Sequence, residues 1–466
     1  MKYGRYGFRD NSKKIINFSY KIGKFVANKV LFENRNYGIM ITGSNSLSLY
    51  NGIKIINYNG EEIDKEFKNE LENFIQKDIE LELVPELNSP KKIYIGNDTR
   101  FSFFEIKTKL IKGIKNISSN IRIVDLNNVT SPQHHYLTKY NYESTCKYLE
   151  KFNNLKYINL NLNNLVIDCA NSISHLPLDN IKKNNKLNYK LINTNIFKNE
   201  LLNFNCGSNY VLKNHKEAIN CQENNQFYCS VNGDGTRFIF YYTNNGKIKI
   251  LDGDYIGFLY LLAISKILKN NKEFTIGYLH TPLVNIAILD KIRELNPNIN
   301  ILCTNEKNLH KIAKNYDICV YFDSSGLGNL LINNEQLLDL KEFKEINYFN
   351  NEIASDCISG IFCVFYFLKY LNLEYSEWYS LLKKNKCLTY KKNIENINIF
   401  ETNSVGDRLT KPIELQYKLD ELKKKYNCSC LIYPSDSDNV ITIYIESNNN
   451  IINIKKQIDS FLTIIK

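Results

Sequence analysis

The chain has 466 residues, 43% of them hydrophobic and 23% charged, with a formal net charge of +11. It is too long for a single core, and no apolar run reaches the roughly 18–20 residues of a membrane span. The opening MKYGRYGFRD lacks the apolar stretch of a signal peptide, so we expect a cytoplasmic location and no membrane partner. Twelve scattered cysteines without a C-x-x-C pair, and six histidines without a ligand cluster, argue against a disulfide scaffold or a zinc site. The lysines form no basic stripe with interleaved aromatics, so nucleic acid is not an expected partner.

In the opening stretch Arg9 is a candidate for anion binding, because an arginine fork can hold a phosphate bidentately. Gly38 to Ile41 reads as a buried strand. It stops at Thr42-Gly43-Ser44-Asn45-Ser46, small and polar residues that make a tight turn. Ser44 is therefore presented at a strand's C-terminal end, where open α/β sheets place their chemistry, and can serve as a nucleophile or phosphoryl carrier. A strand over Ile93 to Ile95 leads into Gly96-Asn97-Asp98-Thr99-Arg100. A helix over Glu105 to Ile114 and a strand over Ile121 to Val124 follow, then Thr130-Ser131-Pro132-Gln133-His134-His135-Tyr136. The asparagine-rich stretch Asn153 to Asn164 marks a boundary.

A second strand and turn, Leu165 to Asn171, opens the next unit. Within it lies Cys229 to Arg237, CSVNGDGTR, a tight glycine loop that carries Asp234. Asp252 and Asp254 open a helix to about Lys269, and capping that helix is the favoured reading over metal ligation by the two acids. A third unit has a strand over Thr275 to Leu279, a helix over Val284 to Leu295, and a strand over Ile318 to Phe322 that ends in Asp323-Ser324-Ser325-Gly326-Leu327-Gly328. A helix starts near Asp356, apolar from Ile358 to Leu371, and reads as core. After the polar run Lys391 to Asn396 come a helix over Leu415 to Tyr426, strands over Cys430 to Tyr433 and Val440 to Glu446, and a closing helix from Ile451 to about Ile465. Strands alternating with helices indicate mostly parallel sheets.

The motifs resemble the α-D-phosphohexomutase family, and specifically its acetylglucosamine branch. Thr42, Ser44, Asn51, Gly52 and Lys54 match a phosphoserine pattern T-A-S-H-N-P followed by N-G-x-K. Residues 3–9 resemble Y-G-T-A-G-F-R, residues 96–100 G-R-D-T-R, and residues 130–136 T-T-P-Q-L-H-Y. Residues 165–171 resemble L-V-I-D-x-A-N, and residues 205–211 N-C-G-A-D-Y-V. The departures fall in the loops. D-G-D-x-D-R keeps only Asp234 and Arg237 of its charges, E-A-N-G-H-G becomes the sequence from Asp323 to Gly328, and R-P-S-G-T-E-D becomes Tyr433 to Asn439.

The resemblance implies three α/β domains with mixed or parallel sheets over residues 1–153, 154–273 and 274–388, and a smaller C-terminal α+β lid over 389–466. It implies interconversion of N-acetylglucosamine 6-phosphate and 1-phosphate by a monomer acting on a hexosamine phosphate. Ser44 would carry the phosphoryl group, assisted by Lys54, Arg9 and Arg237. Mg²⁺ would be held by Ser44, Asn232, Asp234 and Thr236, and a sugar 1,6-bisphosphate would prime the reaction. Asp323, Ser325 and Gly326 would bind the sugar, and Ser435 and Ser437 the distal phosphate. The lost carboxylates and the lost arginine leave one rival expectation, a catalytically impaired homologue that binds sugar phosphates or acts as a scaffold.

Overall fold

The computed structural model describes residues 3, 4, 7–77, 89–221, 226–269, 273–305, 309–435 and 439–464. They form two compact units, one of residues 1–253 and 325–373 and one of residues 254–324 and 374–466.

The first unit holds two sheets. Strand β1 (Phe8–Asn11) precedes helix α1 (Ser12–Glu33), and β2 (Tyr37–Ile41) turns back into β3 (Tyr50–Ile56). Helix α2 (Lys65–Lys77), β4 (Lys92–Asn97), α3 (Phe103–Ile117), β5 (Arg122–Asn128) and α4 (Ser131–Tyr140) complete the layer. The strand order is β1-β3-β2-β4-β5, parallel from β2 through β4 to β5 and antiparallel at β1, β3 and β2. Period-two alternation sends Ile39, Ile41, Ile53, Ile55, Ile93 and Ile95 into the core with α1, α2 and α3. Met40, Ile56 and Tyr94 face the other way, toward Leu137 of α4.

Helices α1 and α3 cross through reciprocal glycines. A Cβ on Gly23 would lie 2.2 Å from the Leu110 carbonyl oxygen, and one on Gly113 would lie 2.1 Å from that of Tyr20. Both obstacles are backbone, so neither can swing aside. Gly113→Ala is expected to destabilise this unit by about 1–3 kcal/mol through overpacking, read as a lower urea midpoint at unchanged m-value.

The helix α5 (Cys146–Leu149) leads to the second sheet, formed by β6 (Leu165–Asp168), β7 (Lys190–Ile192), β8 (Phe227–Val231), β9 (Phe238–Asn244) and β10 (Lys247–Leu251), with α6 (His175–Asn185) and α7 (Ser208–Asn214) between strands. Its order is β10-β9-β8-β6-β7. Asp168 ends β6 fully buried, accepting from Ser230 Oγ at 2.6 Å, Asn193 Nδ2 at 2.8 Å and the amides of Gly207 at 2.7 Å and Ala170 at 3.0 Å. The motif there is thus a structural clamp that joins four chain segments. The returning segment adds the strand Gly328–Ile332 and the apolar helix Cys357–Leu371, capped by Asp356.

The second unit holds parallel strands Ile276–His280, Ile299–Cys303 and Ile318–Phe322. It also holds an antiparallel sheet of Cys387–Asn393, Val440–Glu446 and Ser429–Pro434. Helices Ile413–Tyr426 and Ile451–Ile464 pack on that sheet around Leu415, Leu419, Ile443 and Ile458. Asp254 opens the helix Gly253–Ile267 and pairs with Lys384 at 2.6 Å. Among the described residues no helix is long and apolar enough to cross a membrane.

The two adjacent histidines serve the fold. His135 Nδ1 meets the Gly60 carbonyl at 2.6 Å, and His134 Nε2 meets that of Tyr94 at 3.1 Å. Burial, with the Lys54 charge adding to it against the Tyr94 carbonyl, lowers the His134 pKa from 6.5 to about 3. The unfolded chain therefore binds the extra proton, and stability falls as pH drops below 6.5. At pH 5 the expected loss from this group is about 2 kcal/mol. The loss of stability between pH 7.5 and pH 5, measured by urea unfolding, should be about 2 kcal/mol smaller in His134→Gln than in the wild type.

Candidate active site

Ser44 sits on the turn between β2 and β3 in the left-handed region, φ 50°, and is 1% exposed. A non-glycine residue held there is strained by about 1 kcal/mol, and its surroundings impose the geometry. The Ser44 amide donates to Thr42 Oγ1 at 2.9 Å, and that hydroxyl donates to Asp98 Oδ2 at 2.6 Å. Asp98 and Arg100, both fully buried, form an ion pair, and the Arg100 amide donates to Asp98 Oδ1 at 3.1 Å. The guanidinium also reaches the carbonyls of Ser44, at 3.4 Å, and Ser46. Asn203 Nδ2 donates to the same two carbonyls at 2.8 and 3.0 Å. Gly233 passes so close that a Cβ there would lie 2.4 Å from the Ser44 carbonyl oxygen.

Two cationic residues come from the same sheet. Arg9 lies opposite Gly52 in the β1–β3 register. Lys54, 8% exposed, points to the α4 face of β3 and pairs with Glu62 at 3.2 Å.

The loop from Asn232 to Arg237 faces Ser44. Ser44 Oγ donates to Asp234 Oδ1 at 3.0 Å, Thr236 Oγ1 donates to the same oxygen at 2.8 Å, and Ser131 Oγ donates to Asp234 Oδ2 at 2.9 Å. Burial raises the Asp234 pKa, but the charges of Arg9 and Lys54 and the hydroxyls of Thr236 and Ser131 together outweigh it and hold the group below its usual range. The returning segment buttresses the loop. Ser355 Oγ donates to the Thr236 carbonyl at 2.9 Å, the Cys357 amide to that of Gly235 at 3.0 Å, and the Phe238 amide to that of Gly326 at 3.2 Å.

Asn232, expected to offer an oxygen, is turned the other way. Its Oδ1 accepts from the amides of Thr236 at 2.9 Å and Arg237 at 3.0 Å. Its Nδ2 is the atom that faces Ser44 Oγ at 3.1 Å, Asn45 Oδ1 at 2.8 Å, Asp234 Oδ1 at 2.8 Å and Thr236 Oγ1 at 3.1 Å. The reason is the loop's own backbone, whose two N–H donors need an acceptor at that point. Among the described residues no three His, Cys, Asp or Glu side chains gather as a metal group. A divalent cation takes oxygen donors at 2.0–2.1 Å for Mg²⁺. One carboxylate with a donor amide at the centre of the oxygen set does not fit it.

The structure thus brings Ser44, Asn232, Asp234 and Thr236 together. Gly326 lies behind the loop, with φ 82° and a phantom Cβ 2.0 Å from the Phe238 carbonyl, so its backbone is what the position requires. Ser325 is in the same unit, whereas Asp323, buried at 5% exposure, belongs to the other. Ser435 follows strand Ser429–Pro434, its amide donating to the Val440 carbonyl at 2.9 Å. Ser437 lies outside the described residues. Four contributors were not singled out from the sequence: Asp98, Arg100, Ser131 and Asn203. The first three sit in the motifs at residues 96–100 and 130–136, and Asn203 lies two residues before the motif that starts at Asn205.

The family model described as phosphoacetylglucosamine mutase AMG1, domain III, matches residues 252–373, and that of phosphoglucomutase/phosphomannomutase, alpha/beta/alpha domain I, matches residues 24–82. The chain is 26% identical to phosphoacetylglucosamine mutase 1 of Schizosaccharomyces pombe, over 96% of this chain and 95% of that one. It is 25% identical to the phosphoacetylglucosamine mutase of Candida albicans, over 99% and 96%. Its fold is similar to that of Aspergillus fumigatus N-acetylphosphoglucosamine mutase in complex with GlcNAc-6P and magnesium, with a TM-score of 0.88 at 21% identity, over 96% of this chain and 92% of that one.

Proposed function

Because the chain belongs to the α-D-phosphohexomutase family, we propose that this phosphomutase interconverts N-acetylglucosamine 6-phosphate and N-acetylglucosamine 1-phosphate. The route runs through a phosphoserine at Ser44 and a sugar 1,6-bisphosphate, and it feeds UDP-N-acetylglucosamine synthesis. The observation that carries this reading is the strained, buried Ser44, with its Oγ 3.0 Å from Asp234 Oδ1.

In the forward step the free sugar hydroxyl oxygen attacks the phosphorus on Ser44. The Oγ–P bond breaks, and the hydroxyl proton ends on Ser44 Oγ. In the return step Ser44 Oγ attacks the other phosphate of the bisphosphate and gives its proton to Asp234, the sugar O–P bond breaks, and the departing sugar oxygen takes up a proton to become the product hydroxyl. Arg9 and Lys54 supply positive charge for the transferring oxygens, and Arg237 steadies the loop. Asp323, Ser325 and Gly326 recognise the sugar hydroxyls, and Ser435 and Ser437 the distal phosphate. We also propose the division into domains 1–153, 154–273, 274–388 and 389–466, and a monomer.

The test is isomerisation of N-acetylglucosamine 6-phosphate by the full chain with a catalytic amount of the 1,6-bisphosphate, followed by ³¹P NMR. Appearance of the 1-phosphate is expected. A folded protein that leaves the 6-phosphate unchanged in the presence of primer overturns the proposal.

A further inference from the structure

We propose that the Asn232 amide occupies the place of a divalent cation beside Ser44, so that this site holds its phosphoryl group without a bound metal; the inference rests on the reading of Ser44 as the phosphoryl carrier. Four oxygens, on Ser44, Asn45, Asp234 and Thr236, converge at 2.8–3.1 Å on one point, as ligands converge on an ion. The atom at that point is Asn232 Nδ2, an N–H₂ group with two hydrogens to donate.

Its orientation is not open to exchange. Flipping the amide would bring its hydrogens against the N–H groups of Thr236 and Arg237 and aim its oxygen at four others. The contacts with those two N–H groups and with the acceptors Asn45 Oδ1 and Asp234 Oδ1 would become repulsive, and the Ser44 and Thr236 hydroxyls could meet the amide oxygen only by releasing Asp234. A cation entering at the same point would have to displace the amide and break both backbone bonds. It would gain one carboxylate, Asp234, which already accepts from Ser44, Thr236, Asn232 and Ser131.

The positive charge that a cation would bring is supplied by fixed residues. Arg9 and Lys54 act on the buried Asp234 carboxylate from the neighbouring sheet, and both are close enough to stabilise its charged form. The amide then supplies directed hydrogen bonds to the Ser44 oxygen and the two cations supply the field, two roles that one metal ion combines.

The deciding measurement is a Mn²⁺ titration of the full chain by electron paramagnetic resonance, with the wild type compared to an Asn232→Asp, Thr236→Asp double variant. The double variant has three carboxylates and is expected to bind at least about 100-fold more tightly; the wild type is expected to show no stoichiometric site. One-to-one binding by the wild type that disappears in Asp234→Asn overturns the inference. Equal weakness in the wild type and the double variant also overturns it, because the loop is then not the cation's place. Intact mass after incubation with glucose 1,6-bisphosphate gives an independent readout. Equal phosphorylation of Ser44 in EDTA and in Mg²⁺ is expected, and phosphorylation only with Mg²⁺ overturns the inference. If Ser44 takes up no phosphate in either condition, the phosphoserine reading fails and this inference, which rests on it, is overturned with it; the Mn²⁺ titration then tells that failure apart from a bound cation.

Discussion

Ser44→Ala is expected to lower mutase turnover by at least about 10⁴-fold, the scale on which a covalent nucleophile is missed, at a stability cost of only about 1 kcal/mol. The small cost follows from the geometry. Alanine keeps the Cβ, so the strain at φ 50° is unchanged. What goes is the Oγ hydrogen bond to Asp234 and the one from Asn232, and Asp234 keeps Thr236, Asn232 and Ser131 as donors. Ser44→Gly separates strain from chemistry. Glycine adopts the left-handed region freely, so this variant should be more stable than Ser44→Ala by about 1 kcal/mol and equally inactive. Urea unfolding and ³¹P-monitored turnover of the three proteins check both statements. A Ser44→Ala variant that retains turnover would remove the phosphoserine from the mechanism. A Ser44→Gly variant no more stable than Ser44→Ala would show that the turn is not strained.

The parts of this site that were legible in the sequence are those that local chemistry fixes. An apolar run ended by five small polar residues has few outcomes, and Tyr37–Ile41 followed by the Ser44 turn is one of them. The strand Ile318–Phe322 and the helix after Asp356 were legible for the same reason, the first as a buried run of strand length and the second as a long apolar stretch behind a capping acid. Helix α1 was not read, because Ser19, Gly23 and Ala27 interrupt the apolar pattern of its buried face, Gly23 being set by its close approach to the Leu110 backbone of α3. The strand Tyr50–Ile56 was not read, since Asn51 and Gly52 look like turn residues; they tolerate the strand because β1 covers them.

Orientation was the least legible property. Asn232 carries one oxygen and one nitrogen, and residue type alone does not say which will face Ser44. The backbone amides of Thr236 and Arg237 decide it. Asn203 was invisible for a related reason. Its partners are carbonyls more than 150 positions earlier in the chain, and no local pattern encodes that distance.

Arg100→Met is expected to destabilise the first unit by about 3–5 kcal/mol, the cost of removing one partner from a buried ion pair, and to abolish phosphorylation of Ser44 along with it. Asp98 would keep the Thr42 hydroxyl at 2.6 Å and the backbone amide at 3.1 Å, but its charge would have no cation at contact distance in a place closed to water. The guanidinium's bonds to the carbonyls of Ser44 and Ser46 would also go, leaving Asn203 alone to hold them. Simple loss of packing predicts something different. Methionine fills most of the same volume, and a packing loss would be indifferent to whether Asp98 is present. A double-mutant cycle distinguishes the two. If the uncompensated carboxylate is the cost, Asp98→Leu in the Arg100→Met background should recover about 2–3 kcal/mol by urea unfolding, since an apolar pair tolerates burial where a lone charge does not. The recovered protein should still fail to phosphorylate Ser44, because Thr42 Oγ1 would have lost the acceptor that aims it and the turn its two guanidinium bonds. Additive single and double variants would assign Arg100 to packing. Recovery of phosphorylation together with stability would show that the turn is held by Asn203 and Gly233 without the ion pair.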